Sequence, residues 1–152
     1  MRVIEAATIL NWFDYEYLKS ILPFNLTIEM FNQLINLSHV EKFTGMGFNI
    51  HERTRNMLLS KLWETNKLRF KTLSRLALEY SMTQNQSDIQ WKIDSLYHCL
   101  ISNSKNCDKV YLKQIENVEA ATQIFCYAIK SGFLTKKNRE VVEKIMDYVR
   151  KY

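Results

Sequence analysis

The residue with the clearest chemical potential in this 152-residue chain is His51, within residues 50–56. A turn containing Gly45 and Gly47 precedes it, and an amphipathic helix pattern follows it. The first backbone N–H groups of a helix have no partner inside that helix, so they attract anions. An imidazole at this junction can donate a hydrogen bond to a phosphate or carboxylate oxygen. The sequence therefore predicts an anion contact at His51.

Two charged residues flank this histidine in the predicted helix. Glu52 lies in the first turn, where a negative charge suits the helix dipole. Arg55 lies one turn further along. We expect it to pair with Glu52 or with a neighbouring helix.

Three helices and a β-hairpin are expected to precede His51. Asp14 and Thr27 can each accept a hydrogen bond from the first turn of a helix, so both are predicted N-caps. Pro23 ends the second helix because proline lacks the N–H that a helix interior needs. The predicted helices cover residues 3–11, 15–22 and 28–37, and the predicted strands cover residues 40–43 and 48–50.

The chain after the hairpin is predicted to be helical. A fourth helix over residues 52–64 is expected to turn Met57, Leu58 and Leu62 toward the core. Further apolar stripes, the first opening at Leu68, then predict antiparallel helical hairpins that resemble a tetratricopeptide-like array, although no period of about 34 residues is visible. These stripes run through residues 68–80, 89–100, 118–128 and 141–152.

The pattern apolar-His-acidic-x-x-Arg, here Ile50, His51, Glu52 and Arg55, resembles a family signature. It is similar to the Met-His-Asp motif in the winged-helix domain of signal-transduction ATPases with numerous domains, the STAND class. Isoleucine stands here for the methionine and glutamate for the aspartate. The resemblance implies a mainly α chain, with a winged-helix domain over residues 1–66 and a tetratricopeptide-like helical-hairpin region over residues 67–152.

The same resemblance implies a function for His51, namely contact with a nucleotide phosphate held by a neighbouring ATPase domain. The chain would be a non-catalytic regulatory piece whose partner is that domain or another protein. ADP or ATP would belong to a longer parent protein, and we expect no cofactor, metal site or catalytic residue in this chain itself. The sequence has no G-x-x-x-x-G-K-[ST] loop for phosphates.

Two other functions fit the same helices. One is a winged-helix transcription regulator with a helical dimerisation region; the other is an interaction module in which His51 has no role. Asn32, Gln33 and Asn36 could read base edges. However, residues 27–37 contain no Lys or Arg, and residues 1–50 carry three bases against five acids. We therefore expect no nucleic-acid partner, and the basic run at residues 136–151 is interpreted as a solvated helix face.

Cysteine usage and hydrophobicity indicate a soluble cytoplasmic protein. Cys99, Cys107 and Cys126 are an odd number without a C-x-x-C pair, so we expect no disulfide framework. His98, Cys99 and Cys107 lack a fourth metal ligand at a sensible spacing, and His98 is expected to be a partly exposed helix residue. No signal peptide is visible, and no run approaches the about 18 apolar residues of a membrane span.

Overall fold

The computed structural model describes residues 2–43, 47–85 and 87–102. The chain divides into two compact units, Met1–Tyr80 and Ser81–Tyr152. The expectation of a mainly helical chain with a small antiparallel hairpin is confirmed. The elements are α1 (Arg2–Ile9), α2 (Tyr15–Ile21), α3 (Ile28–Ile35), β1 (Val40–Phe43), β2 (Gly47–Ile50), α4 (Glu52–Thr65), α5 (Lys67–Thr83) and α6 (Ile89–Ser102). Gly45, the stripes at 118–128 and 141–152, the basic run at 136–151, Cys107 and Cys126 lie outside the described residues.

Both predicted N-caps are confirmed. An Asp14 carboxylate oxygen accepts a hydrogen bond from the Tyr17 N–H at 2.8 Å. The Thr27 hydroxyl accepts one from the Met30 N–H at 3.2 Å. Each cap therefore satisfies one of the N–H groups that the first turn of its helix leaves unbonded.

The hairpin is tied to the helices through Phe13. β1 and β2 pair antiparallel with Val40 opposite Ile50. Phe13, between α1 and α2, bridges to Phe48: its N–H donates to the Phe48 carbonyl at 2.7 Å, and its carbonyl accepts from the Phe48 N–H at 2.8 Å. The ring of Phe31 from α3 lies 6.3 Å from that of Phe13 and 5.9 Å from that of Phe48. These contacts fix the hairpin against α3.

The core of the first unit is apolar, and α4 enters it through Leu59 and Leu62. The prediction that Met57 faces the core is wrong, because its side chain is 64% exposed. Met57 and Leu59 differ by two residues, or about 200° around the helix, so only one of them can face inward. The bulkiest fully buried side chains of this unit are Phe13, Tyr17, Ile9, Leu10, Leu18, Ile21, Leu26, Ile50, Leu59 and Phe70.

A single residue, Asn66, ends α4 and begins α5. Its N–H donates to the Leu62 carbonyl at 2.8 Å, and its side-chain oxygen accepts from the Arg69 N–H at 3.0 Å. Arg69 in turn forms an ion pair with Glu5 of α1 at 2.6 Å. Leu68, predicted to open an apolar stripe, is instead 78% exposed, because the turn at Asn66 directs Arg69 rather than Leu68 toward α1.

In the second unit, α6 buries polar side chains. Asp94, Ser95 and His98 are all fully buried, and the Ser95 and Ser81 hydroxyls lie 3.1 Å apart. The prediction of a partly exposed His98 is therefore wrong. Its helical position was read correctly, but its burial depends on neighbours that helical spacing does not reveal.

Cys99, the one cysteine among the described residues, is 3% exposed and lies in a disulfide bond. The sequence argued against a disulfide framework, and one bond at Cys99 is not such a framework. An odd cysteine count excludes complete pairing, but it leaves room for one bond. The inference of a reducing compartment loses its premise, since disulfides are rare in the cytosol. None of the helices in the described part of the chain is long and apolar enough to cross a membrane.

We predict that Gly47→Ala destabilises the first unit by about 2 kcal/mol or more. Gly47 has φ +120°, and a Cβ there would lie 2.5 Å from the Phe13 carbonyl oxygen, the acceptor of the strand bridge. Urea unfolding compares this variant with Lys42→Ala, an exposed change on β1. Lys42→Ala is expected to unfold like the parent chain. Equal midpoints for all three proteins would contradict the close approach at Gly47.

Candidate functional site

The structure places His51 at the N-cap of α4, directly after β2. Its N–H donates to the His39 carbonyl at 2.8 Å, and its own carbonyl accepts from the Arg55 N–H at 2.9 Å. The backbone of His51 is thus held from the hairpin side and from the helix side. These two hydrogen bonds fix the Cα atom from which the imidazole projects.

The side chain of His51 is exposed and makes no capping hydrogen bond to the helix. Preferred N-cap residues use a short side-chain oxygen to bond the N–H groups of the first turn. Histidine has no such oxygen. The His51 side chain therefore leaves the first-turn N–H groups of α4 uncapped, and the start of this helix favours an anion.

Arg55 holds α4 against the end of α1. Its Nε donates to the Thr8 carbonyl at 2.9 Å, and an Nη donates to the Ile9 carbonyl at 3.3 Å and to the Asn11 side-chain oxygen at 3.1 Å. The last carbonyls of a helix lack partners within it, and a cation there also suits the helix dipole. Of the two partners expected for Arg55, the neighbouring helix is the one these hydrogen bonds show.

The motif residues therefore divide between two tasks. Arg55 is partly buried and positions α4, whereas His51, Glu52 and Arg53 are exposed at its start. This arrangement can offer one or two hydrogen-bond donors to an anion. Neither the sequence nor this surface provides the glycine-rich cradle that binds a whole nucleotide triphosphate.

Sequence reasoning missed His39, whose carbonyl holds the His51 N–H. The register of the two strands identifies this partner. Pairing Val40 with Ile50 places the residues just outside them, His39 and His51, opposite each other. His39 is partly buried, unlike His51.

The exposed surface of α3 carries amides and an acid. Glu29, Asn32, Gln33 and Asn36 are exposed. The Asn36 side-chain N–H₂ donates to the Asn32 carbonyl at 2.8 Å, so it is already engaged within its own helix. This surface offers no positive charge to a phosphate backbone.

Within the residues that the structure describes, no group of three His, Cys, Asp or Glu side chains could hold a metal ion. Comparison of the chain with protein-family models, with curated proteins and with solved structures finds no match.

Tyr80 has a shifted pKa. Its ring stacks on that of Tyr17, with centroids 5.1 Å apart. Burial raises the pKa of Tyr80 above its ordinary value, and the negative charges of Asp14 and Glu16 raise this pKa further. The folded chain thus favours the neutral phenol.

We predict that the free energy of unfolding falls above about pH 10 and that Tyr80→Phe weakens this fall. The unfolded tyrosine loses its proton near the ordinary pKa of 10.0, while the folded one retains it to higher pH. The stability is therefore complete below pH 10 and declines as the pH rises through the raised pKa. Urea midpoints from pH 9 to 11, with phenolate absorbance of both proteins, measure the difference. Identical pH profiles would contradict the shift.

We predict that Arg55→Met destabilises the first unit by about 2–3 kcal/mol, because three acceptors lose a charged donor. Arg55→Lys should recover only part of this loss, since an ammonium cannot reproduce the planar fork of donors. Arg53→Met is the matched control, because Arg53 is exposed two residues earlier on the same helix. A loss as large for Arg53→Met as for Arg55→Met would contradict the anchoring role.

Proposed function

We propose that this chain is the regulatory winged helix and first sensor helices of a STAND-type ATPase. In this function His51 contacts a phosphate of the nucleotide held by a neighbouring ATPase domain. The observation that carries it is the exposed imidazole at the N-cap of α4, on a backbone held by His39 and Arg55. The chain itself does no catalysis and binds no nucleotide alone.

The winged-helix assignment is supported by more than the order of elements. Phe13 lies between α1 and α2, and its two hydrogen bonds to Phe48 join this segment to the free edge of β2, so the hairpin is tied to the helices. The helices from residue 67 onward would form the helical-hairpin region that meets a partner protein.

The chemistry of His51 suits a switch better than a permanent site. One imidazole can donate one hydrogen bond to a phosphate oxygen, and the adjoining helix terminus favours the negative charge. Glu52 beside it is exposed and disfavours a tightly held polyanion. A contact of this strength can bias the ADP-bound arrangement of two domains and still release it.

A DNA-reading function receives less support. The third helix of a winged helix enters the major groove, where Lys and Arg supply most of the affinity through phosphates. Here α3 contains no Lys or Arg, and Glu29 is exposed on it. The side-chain amide of Asn36, which follows α3, donates to the Asn32 carbonyl. A protein partner therefore fits this surface better than a nucleic acid does.

The proposed function requires ADP or ATP, which the cytoplasm supplies, so a cytoplasmic chain is part of this proposal. The disulfide bond of Cys99 would be unusual there, where such bonds are mostly transient or redox-sensing.

We predict that His51→Ala changes the stability of this chain by at most about 1 kcal/mol, because the side chain is exposed and makes no capping bond. In a longer protein with an ATPase domain before this chain, the same change should speed ADP release and raise basal activity. A phosphate oxygen then loses its donor and the inactive state is less populated.

The discriminating measurements are the melting temperature of this chain and the ADP release rate of that longer protein. Ser60→Ala, an exposed change further along α4, serves as the control and should alter neither quantity. A large fall in melting temperature together with unchanged ADP release would show that His51 is a packing residue and that the motif match is coincidental.

A further inference from the structure

A cavity of about 350 Å³ lies between α1 and α4 in the first unit. This volume falls within the range of about 300–1,000 Å³ that is typical of small-molecule sites. On one wall, α4 contributes Thr54, Leu58 and Leu62, which recur every four residues on one side of the helix. On the other wall, α1 contributes Ile4 and Thr8. Met57 and Thr65 of α4 also line the cavity, whereas His51 does not.

The walls of this cavity favour hydrocarbon. The Thr8 hydroxyl donates to the Ile4 carbonyl at 2.7 Å, and the Thr65 hydroxyl donates to the Lys61 carbonyl at 2.7 Å. A hydroxyl has one hydrogen to donate. Thr8 and Thr65 therefore have no donor left for a ligand. Ile4, Met57, Leu58 and Leu62 supply apolar surface.

The uncompensated charge at the cavity is positive. Glu5 lines it, but this carboxylate is paired with Arg69 at 2.6 Å. Lys61 also lines it and is exposed. Among the described residues, no carboxylate forms an ion pair with Lys61. A ligand at this position is therefore favoured if it brings a negative charge.

A buried polar atom at the same cavity lacks a partner. His39 lines the cavity, and its Nε2 is buried without a hydrogen bond to any described residue. Most buried polar side-chain atoms in native proteins are hydrogen-bonded to protein or to water. A polar group brought by a molecule in the cavity would give this nitrogen a partner.

We propose that this cavity binds a small amphiphile with an unbranched hydrocarbon tail and a carboxylate head, such as a medium-chain fatty acid. The tail lies between α1 and α4, and the carboxylate lies toward Lys61. The residues involved do not include His51, so this site and the proposed function can fail separately.

The test is calorimetric titration of the full chain with hexanoate, octanoate and uncharged 1-octanol. Octanoate should bind saturably at one site, and each added methylene should tighten binding by about fourfold until the cavity is full. Octanoate should bind about fivefold more tightly than octanol. Lys61→Gln should abolish that preference, whereas Lys67→Gln, a matched exposed lysine on α5 that does not line the cavity, should preserve it.

Two filling variants, Leu58→Trp and Thr54→Leu, locate the ligand. Either should weaken octanoate binding by at least tenfold, and circular dichroism shows which of them keeps the parent fold. Binding that is unsaturable, or unaffected in a folded filling variant, would overturn the site. Equal affinity for octanoate and octanol, with binding blocked by the filling variants, would overturn the proposed preference for a carboxylate head. The cavity would then be an apolar site for a different ligand.

Discussion

The first unit depends on one arginine that joins two helices distant in the sequence. Arg55 donates hydrogen bonds to the carbonyls of Thr8 and Ile9 and to the side-chain oxygen of Asn11. These acceptors lie at and just after the end of α1. Hydrogen bonds to a charged group contribute about 1.5–3 kcal/mol, and domains are stable by only about 5–15 kcal/mol. Without this guanidinium, partly buried carbonyls would lose their partners. The packing of α4 against α1, and hence the position of its first turn, follows from this contact.

A second constraint fixes the hairpin from which α4 begins. Phe13 pairs with Phe48 through both of its backbone groups, and Gly47 permits the close approach because it has no Cβ. Since Phe13 follows α1 by only a few residues, both constraints refer to the same helix. α1 orients the hairpin on one side and α4 on the other. His51 lies where the hairpin meets α4, and its N–H is bonded to the hairpin residue His39.

Local interactions were predictable from the sequence, whereas distant ones were not. Asp14 and Thr27 cap helices through bonds that span three residues, so residue type and spacing were sufficient. The bond between Arg55 and Thr8 spans 47 residues, and the motif showed only that Arg55 needed a partner.

Burial was predicted less well than helix position. In α4 the apolar residues Met57, Leu58 and Leu59 are consecutive, so periodicity alone could not decide which one faces the core. The burial of His98 likewise depends on tertiary neighbours. For His51, the sequence predicted the junction and the helix start, while the backbone partner His39 required the strand register.

The rigidity of α4 links its first turn to the cavity along its length. This helix has 14 residues and spans about 21 Å, so a change in its packing against α1 moves its whole length. Thr8 takes part in both contacts, because its carbonyl accepts from Arg55 while its side chain lines the cavity. A molecule in the cavity would add contacts between the same two helices that Arg55 joins. It would therefore restrict the motion of α4 relative to α1, and with it the motion of His51, without touching the histidine.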